Sequence, residues 1–244
     1  VLILIITWIA LGNGGFTDFI NYLFFLQNFN TPHPSFFPEA WSLSIEEWFY
    51  LLMPIGLFFT LRIGVKHQRA ILFLIISIIV ASLFIRYYKF YTYEIETISA
   101  WDTIFRKQVI NRMDSIMFGV LGAYLNYYHS DLWVRHKKGC LLFGVVLLLL
   151  HKLSFLVIGP LNLELNVYYC VYSFSVSSIA TLLLLPFLSN YKRGSGKLYT
   201  IITIISLISY SMYLINLSLV QQYLVPHFIN LIPMSSQEFA HIRK

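Results

Sequence analysis

The chain has 244 residues, of which 58% are hydrophobic and 11% charged, where soluble domains carry about 25% charged residues. Its mean hydropathy of +0.70 excludes an ordinary soluble domain and predicts an all-α, polytopic bundle of transmembrane helices. A net charge of +6 suits either nucleic acid or an anionic membrane surface, and the placement of the charges favours the lipid bilayer and no nucleic acid.

Seven apolar runs are expected to span, each judged against the roughly 20 residues a crossing helix needs. They cover about 1–11, 41–61, 70–88, 112–128, 139–158, 167–188 and 199–223. The first is short. It begins VLILIITWIAL, with no initiating Met, basic n-region or small-residue cleavage site, so it does not read as a signal peptide. The fourth opens with charges. The fifth carries Lys152 near its end, where an ammonium snorkels to water. Cys140 and Cys170 are expected near opposite faces of the bilayer, too far apart for a disulfide. No soluble domain, internal repeat or low-complexity tract interrupts the series.

The loops orient the bundle. Arg62, Lys66 and Arg69 share one loop, Arg135, Lys137 and Lys138 another, and Lys192, Arg193 and Lys197 a third. These alternate loops hold nine of the 17 Lys and Arg residues and, in Asp131, one of the 11 acidic ones. The positive-inside rule makes the loops around 62–69, 130–138 and 190–197 cytoplasmic. Across the membrane, 12–40 carries Asp18 and Glu39 but no Lys or Arg, 159–166 has only Glu164, and 89–111 is mixed.

Three polar features interrupt the apolar runs. In FFPEAWSLSIEEWFYLLMP (36–54), Trp41 marks the outer interface and Pro54 is a helix-stopping signal. Ser42, Glu46, Tyr50 and Met53 share a helical stripe, with Glu47 about 100° away. An ionised group in hydrocarbon costs at least roughly 2.5 kcal/mol, so the stripe is expected to face protein or water. The alternative is that the two glutamates sit at the interface or pair with a basic residue. In NRMDSIMFG (111–119), Arg112 and Asp114 enter the fourth span at a depth similar to Glu46, as a functional pair or a structural ion pair. Gly119 and Gly122 permit close helix approach. In ISYSMYLINLS (208–218), Ser209, Tyr213 and Asn216 form a polar stripe beside Ser206 and Tyr210; interhelical hydrogen bonding is the simpler account of its serines. His33 reads as a turn residue between two prolines, and His151 as a residue at a span end. Metal, P-loop, dinucleotide and GxSxG signatures are absent from the sequence.

The first stretch resembles the signature of the membrane-bound acyltransferase family 3, close to W-S-L-x-x-E-x-x-F-Y-L-L-x-P. Trp41, Ser42, Leu43, Glu46, Phe49, Tyr50, Leu51, Leu52 and Pro54 match, while Trp48 stands where the family commonly has Gln. Arg112, Asp114 and Gly119 resemble the family's R-x-D-x-x-x-x-G segment. Ile208, Ser209, Tyr210, Tyr213 and Leu214 resemble its I-S-Y-x-x-Y-L-x-H segment, with Asn216 in place of the His. Asn28, in FLQNF, matches the stretch before the Trp motif.

The resemblance implies an O-acyltransferase of the bacterial inner (plasma) membrane, acting on surface or lipid-linked glycans. Acyl-CoA, commonly acetyl-CoA, would be the donor substrate and a sugar hydroxyl the acceptor, with no bound cofactor or metal. Glu46, Arg112 and Asp114 are the expected catalytic residues. Trp41, Ser42, Tyr50, Asn28, Ser209, Tyr210, Tyr213 and Asn216 are expected to bind substrate. The family begins with two further spans, the first holding an Arg and a His thought to act as base, and ends with another. Residues 1–244 are accordingly expected to be a partial domain, inactive alone. The rival readings are a transporter or glycan flippase, whose intramembrane Glu and Arg would line a path, and a glycan polymerase.

Overall fold

The computed structural model describes residues 16–34, 37–95, 97–157, 167–189, 194, 196–225 and 227. These are helical, without a strand. The expected span at 1–11 lies outside them. Helix α1 is Phe16–Leu23, α2 Ala40–Arg62, α3 His67–Thr92, α4 Ile98–Trp101, α5 Val109–Tyr128, α6 Ser130–Arg135, α7 Lys137–Val157, α8 Ser173–Leu188 and α9 Lys197–Ile215. Three π-helical stretches, Asp102–Arg106, Tyr168–Tyr172 and Asn216–Leu224, continue α4, lead into α8 and follow α9.

Among the described residues, five helical segments are long and apolar enough to cross a membrane: Ala40–Arg62, His67–Thr92, Lys137–Leu156, Tyr168–Leu188 and Lys197–Ile215. Helix α5 has 20 residues, but Asn111, Arg112 and Asp114 near its start leave it less apolar. Pro54 does not stop α2, which runs eight residues further, to Arg62. Proline removes one N–H from the ladder, a loss that membrane helices tolerate. Helix α3 also runs past its expected end, to Thr92, which places Arg86 and Lys89 inside the helix. Between α2 and α3, Gly64 adopts φ +87, and its N–H bonds to the Leu61 carbonyl at 3.0 Å. That left-handed conformation is open to glycine at no steric cost.

The chain divides into two compact units. The larger comprises Asn28–His33 and Trp41–Gly194. Within it α3 packs on α5, α5 on α8, and α7 on α8. The apolar face of α2 joins this core through Ile45, packed with Val109 and Met113. Below it Ile75, Met117 and Tyr124 form a second cluster, which Phe49 and Met53 flank. Cys140 and Cys170 are both free thiols.

Helix α7 meets the backbone of α8 closely at Gly144. A Cβ there would lie 2.9 Å from the Ala180 carbonyl oxygen and 3.0 Å from Leu183 Cβ. Backbone cannot swing aside, so Gly144→Leu must push α7 off α8. The expected loss is about 1–3 kcal/mol, read as a lower melting temperature in detergent; an unchanged melt would mean the two helices separate freely. Gly122 also approaches α8, but there a Cβ would meet the end of the Leu182 side chain at 2.7 Å, which has rotamers to escape into. A Cβ at Gly119 would meet open space, so of the two glycines expected to permit close packing, Gly122 does so.

The smaller unit comprises Val1–Gln27, Pro34–Ala40 and Ser195–Lys244. In it the buried Tyr22 hydroxyl donates to the Pro34 carbonyl at 3.4 Å and accepts from the Phe37 N–H at 3.3 Å. The Tyr213 hydroxyl donates to the Glu39 carbonyl at 2.9 Å.

Candidate functional site

The larger unit contains a cavity of about 730 Å³, within the roughly 300–1,000 Å³ of small-molecule sites. Its walls come from the first turn of α2 (Trp41), the segment 98–106, the start of α5 (Arg112), the late part of α7 (His151, Lys152, Phe155) and the start of α8 (Ser173, Phe174, Ser177). By helix direction, these are the ends of α2, α5, α7 and α8 remote from the basic loops at 62–69 and 130–138.

Local sequence explains the wall at 98–106. Thr97 caps α4, its hydroxyl accepting from the Ala100 N–H at 3.1 Å. Trp101 Nε1 donates to the Tyr169 carbonyl at 3.1 Å, and its ring stacks on Phe174 with centroids 5.6 Å apart. Phe105 is fully buried beside Cys170, Val171 and Phe174. Both flanking turns, Asp102–Arg106 and Tyr168–Tyr172, are π-helical. Such turns are found disproportionately at functional sites because they re-aim side chains.

Asn28 fixes the entry to α2. Its side-chain N–H groups donate to the Trp41 carbonyl at 3.0 Å and the Lys107 carbonyl at 2.5 Å. Its backbone carbonyl accepts from the Val109 N–H at 3.0 Å. One buried residue thus ties 28–33, the start of α2 and the approach to α5 together, and so positions Trp41 and Arg112.

Arg112 and Asp114 do not pair. Two positions apart on a helix, they point about 200° from each other. Asp114 Oδ2 accepts from Arg86 at 2.8 Å and from the Ser175 hydroxyl at 2.7 Å. Both charged side chains are fully buried. Arg86 also donates to the Asn111 carbonyl at 2.5 Å, and Lys89 bonds the Gln108 side chain. This network joins α3, α5 and α8. Arg112 instead lies over Phe174, 4.5 Å from the ring centroid, and among the described residues makes no ion pair. Arg106 lies 5.3 Å from the Trp41 centroid and bonds Asp102.

Asp102 also accepts Lys107 Nζ at 2.6 Å. Burial alone would raise its carboxyl, but Arg106 and Lys107 outweigh burial and hold it below the ordinary 3.8. A depressed carboxylate contributes stability above its unfolded value that is lost as pH falls through the folded one. The 98–107 wall is therefore expected to hold at neutral pH and to loosen only in acid below about pH 3.8. Fluorescence of Trp101 during acid titration checks this, with Asp102→Asn removing the step; a step unaltered by Asp102→Asn would assign it to another group.

The expected stripe on α2 divides: Met53 flanks the core, while Glu46 and Tyr50 lie off the packed face. Ser44 and Ile45 are buried, Ser42 is half-buried, and Glu46, Glu47 and Tyr50 are exposed. The described core therefore does not cover Glu46, which sits within two turns of the helix start at Ala40. Ser209, Tyr210, Tyr213 and Asn216 belong to the smaller unit and are exposed. The Ser209 hydroxyl donates to the Ser206 carbonyl of its own helix at 2.8 Å, while Tyr213 makes the bond to Glu39 described above.

Sequence reading did not single out Arg86 or Ser175 and took His151 only as a span-end residue. His151 is buried, its Nδ1 3.0 Å from the Tyr168 hydroxyl. The signal for Arg86 was its place near the end of an apolar run, since ionisable groups in spans are costly unless paired. Among the described residues no group of three His, Cys, Asp or Glu stands close enough to hold a metal ion.

A family model described as an acyltransferase domain, that of acyltransferase family 3, matches residues 1–239. Comparison with curated proteins and with solved structures gives no match.

Proposed function

This chain belongs to acyltransferase family 3, and from that premise we propose that it moves an acetyl group from acetyl-CoA to a sugar hydroxyl of a surface or lipid-linked glycan. The observation that carries the reading is the match over 1–239, in a helical bundle with five segments long and apolar enough to cross a membrane. The sugar hydroxyl attacks the thioester carbonyl and gives up its proton to a general base. The tetrahedral oxyanion collapses, the C–S bond breaks, and CoA leaves as the thiol once protonated. Glu46 orients the base or the sugar, in the manner of the carboxylate of a triad. Arg112 and Tyr50 donate to the oxyanion or the sugar.

The test uses the complete gene product in nanodiscs with acetyl-CoA and a mixture of glycan acceptors. Acceptor-dependent release of free CoA, with acetyl recovered on the sugar, is expected. Acetyl-CoA hydrolysis or silence with every acceptor would overturn the reading.

The basic loops face the cytoplasm in this scheme and the cavity faces outward. Cysteines placed at Gln68 and Lys137 are expected to react with an impermeant thiol reagent only when the cytoplasmic side is opened, and one at Ser99 in intact spheroplasts. The opposite labelling would invert the orientation.

A further inference from the structure

We propose that the cavity at the ends of α2, α5, α7 and α8 is a subsite for a sugar that carries an acidic group. The inference rests on the acyltransferase reading and narrows its acceptor. Four charged side chains line the cavity: Asp102, Arg106, Arg112 and Lys152. Asp102 is spent on Arg106 and on Lys107. Arg112 has lost its sequence neighbour Asp114 to Arg86. Lys152 is exposed and, like Arg112, makes no ion pair among the described residues. Two of the cations that line the cavity, on α5 and α7, therefore have no ion-pair partner among the described residues.

Asp114, two residues away, points about 200° from Arg112 and is held by Arg86 and Ser175 on the far side of α5. Arg112 instead lies over the Phe174 ring, 4.5 Å from its centroid. A guanidinium offers several N–H donors to a planar anion, which suits a carboxylate or a phosphate. Trp41 and Trp101 add aromatic surface to the same walls, and Ser99 and Ser177 add hydroxyls. Cations, indoles and hydroxyls together recognise an acidic sugar better than a lipid chain, which needs none of the polar groups.

Binding is measured with the complete gene product in nanodiscs of zwitterionic lipid. The probes are methyl glucuronide, glucose 6-phosphate and methyl glucoside. Both acidic sugars, or either one, are expected to bind at least about tenfold tighter than the neutral glycoside, the order of gain from a charge-assisted hydrogen bond. The two acidic probes distinguish a carboxylate from a phosphate. Lys152→Gln, at an exposed position, and Arg112→Gln are each expected to remove most of that preference, with Arg112→Lys retaining part of it. Equal binding of the neutral glycoside, or an acidic preference intact in both Gln variants, would overturn the proposal. So would displacement of the sugar by CoA, which would make this the donor site, or by anionic lipid in the nanodisc, which would make it a headgroup site. The acidic preference without acyl transfer would leave the subsite standing and remove the acyltransferase reading. Acyl transfer without the preference would remove only the subsite.

Discussion

Arg86→Leu is expected to cost about 3–5 kcal/mol of stability, the usual penalty for stranding one partner of a buried ion pair. Arg86 and Asp114 are both fully buried, 2.8 Å apart, and the same guanidinium holds the Asn111 carbonyl and the Ser175 hydroxyl. Its loss leaves the Asp114 carboxylate between α3, α5 and α8 with only Ser175 to donate to it. The measurement is a thermal melt in detergent. Arg86→Leu should fall far below wild type, and Arg86→Leu with Asp114→Leu should recover much of the loss, since a buried pair replaced by apolar groups is often neutral. A single variant that melts like wild type would show that the pair holds nothing together. A double variant no better than the single would show that Arg86 acts through Asn111 and Ser175 rather than through Asp114.

Glu46→Gln is expected to lower acyl transfer by about 10²–10⁴-fold, the range contributed by the general-base step that Glu46 supports through orientation. Expression and melting should be unaltered, because Glu46 is exposed and supports no part of the described core, and surface substitutions of that kind usually shift stability by about 0.5 kcal/mol or less. Glu47→Gln is the control. It is equally exposed and adjacent, but it lies off the stripe of Ser42 and Tyr50, so its effect should be mild. Equal rates in wild type and Glu46→Gln would sink the assignment. Equal losses in the two variants would point to the net charge of the helix start instead.

Hydropathy by itself determined the helical bundle. The runs at 41–61, 112–128, 139–158 and 167–188 lie within about three residues of α2, α5, α7 and the Tyr168–Leu188 segment. The reason is that lipid enforces one rule on every spanning segment, a continuous apolar helix with its backbone bonded internally, and that rule is written locally. The family motifs were legible for the same reason: residues four apart on α2 share a face whatever packs against it.

Only the tertiary structure decided which charges meet. Arg112 and Asp114 are near neighbours in sequence, yet Asp114 belongs to Arg86, 28 residues earlier, and to Ser175, 61 later. The choice depends on the rotation of α5 against α3 and α8, which no local spacing encodes. The same rotation turns Arg112 toward the cavity. Asn28, matched as part of a motif, is spent on the backbone at Trp41 and Lys107, a clasp visible only once segments 79 residues apart are brought together. An ion pair buried in a low-dielectric bundle is satisfied by whichever partner the helices present, and that is fixed by packing, not by proximity along the chain.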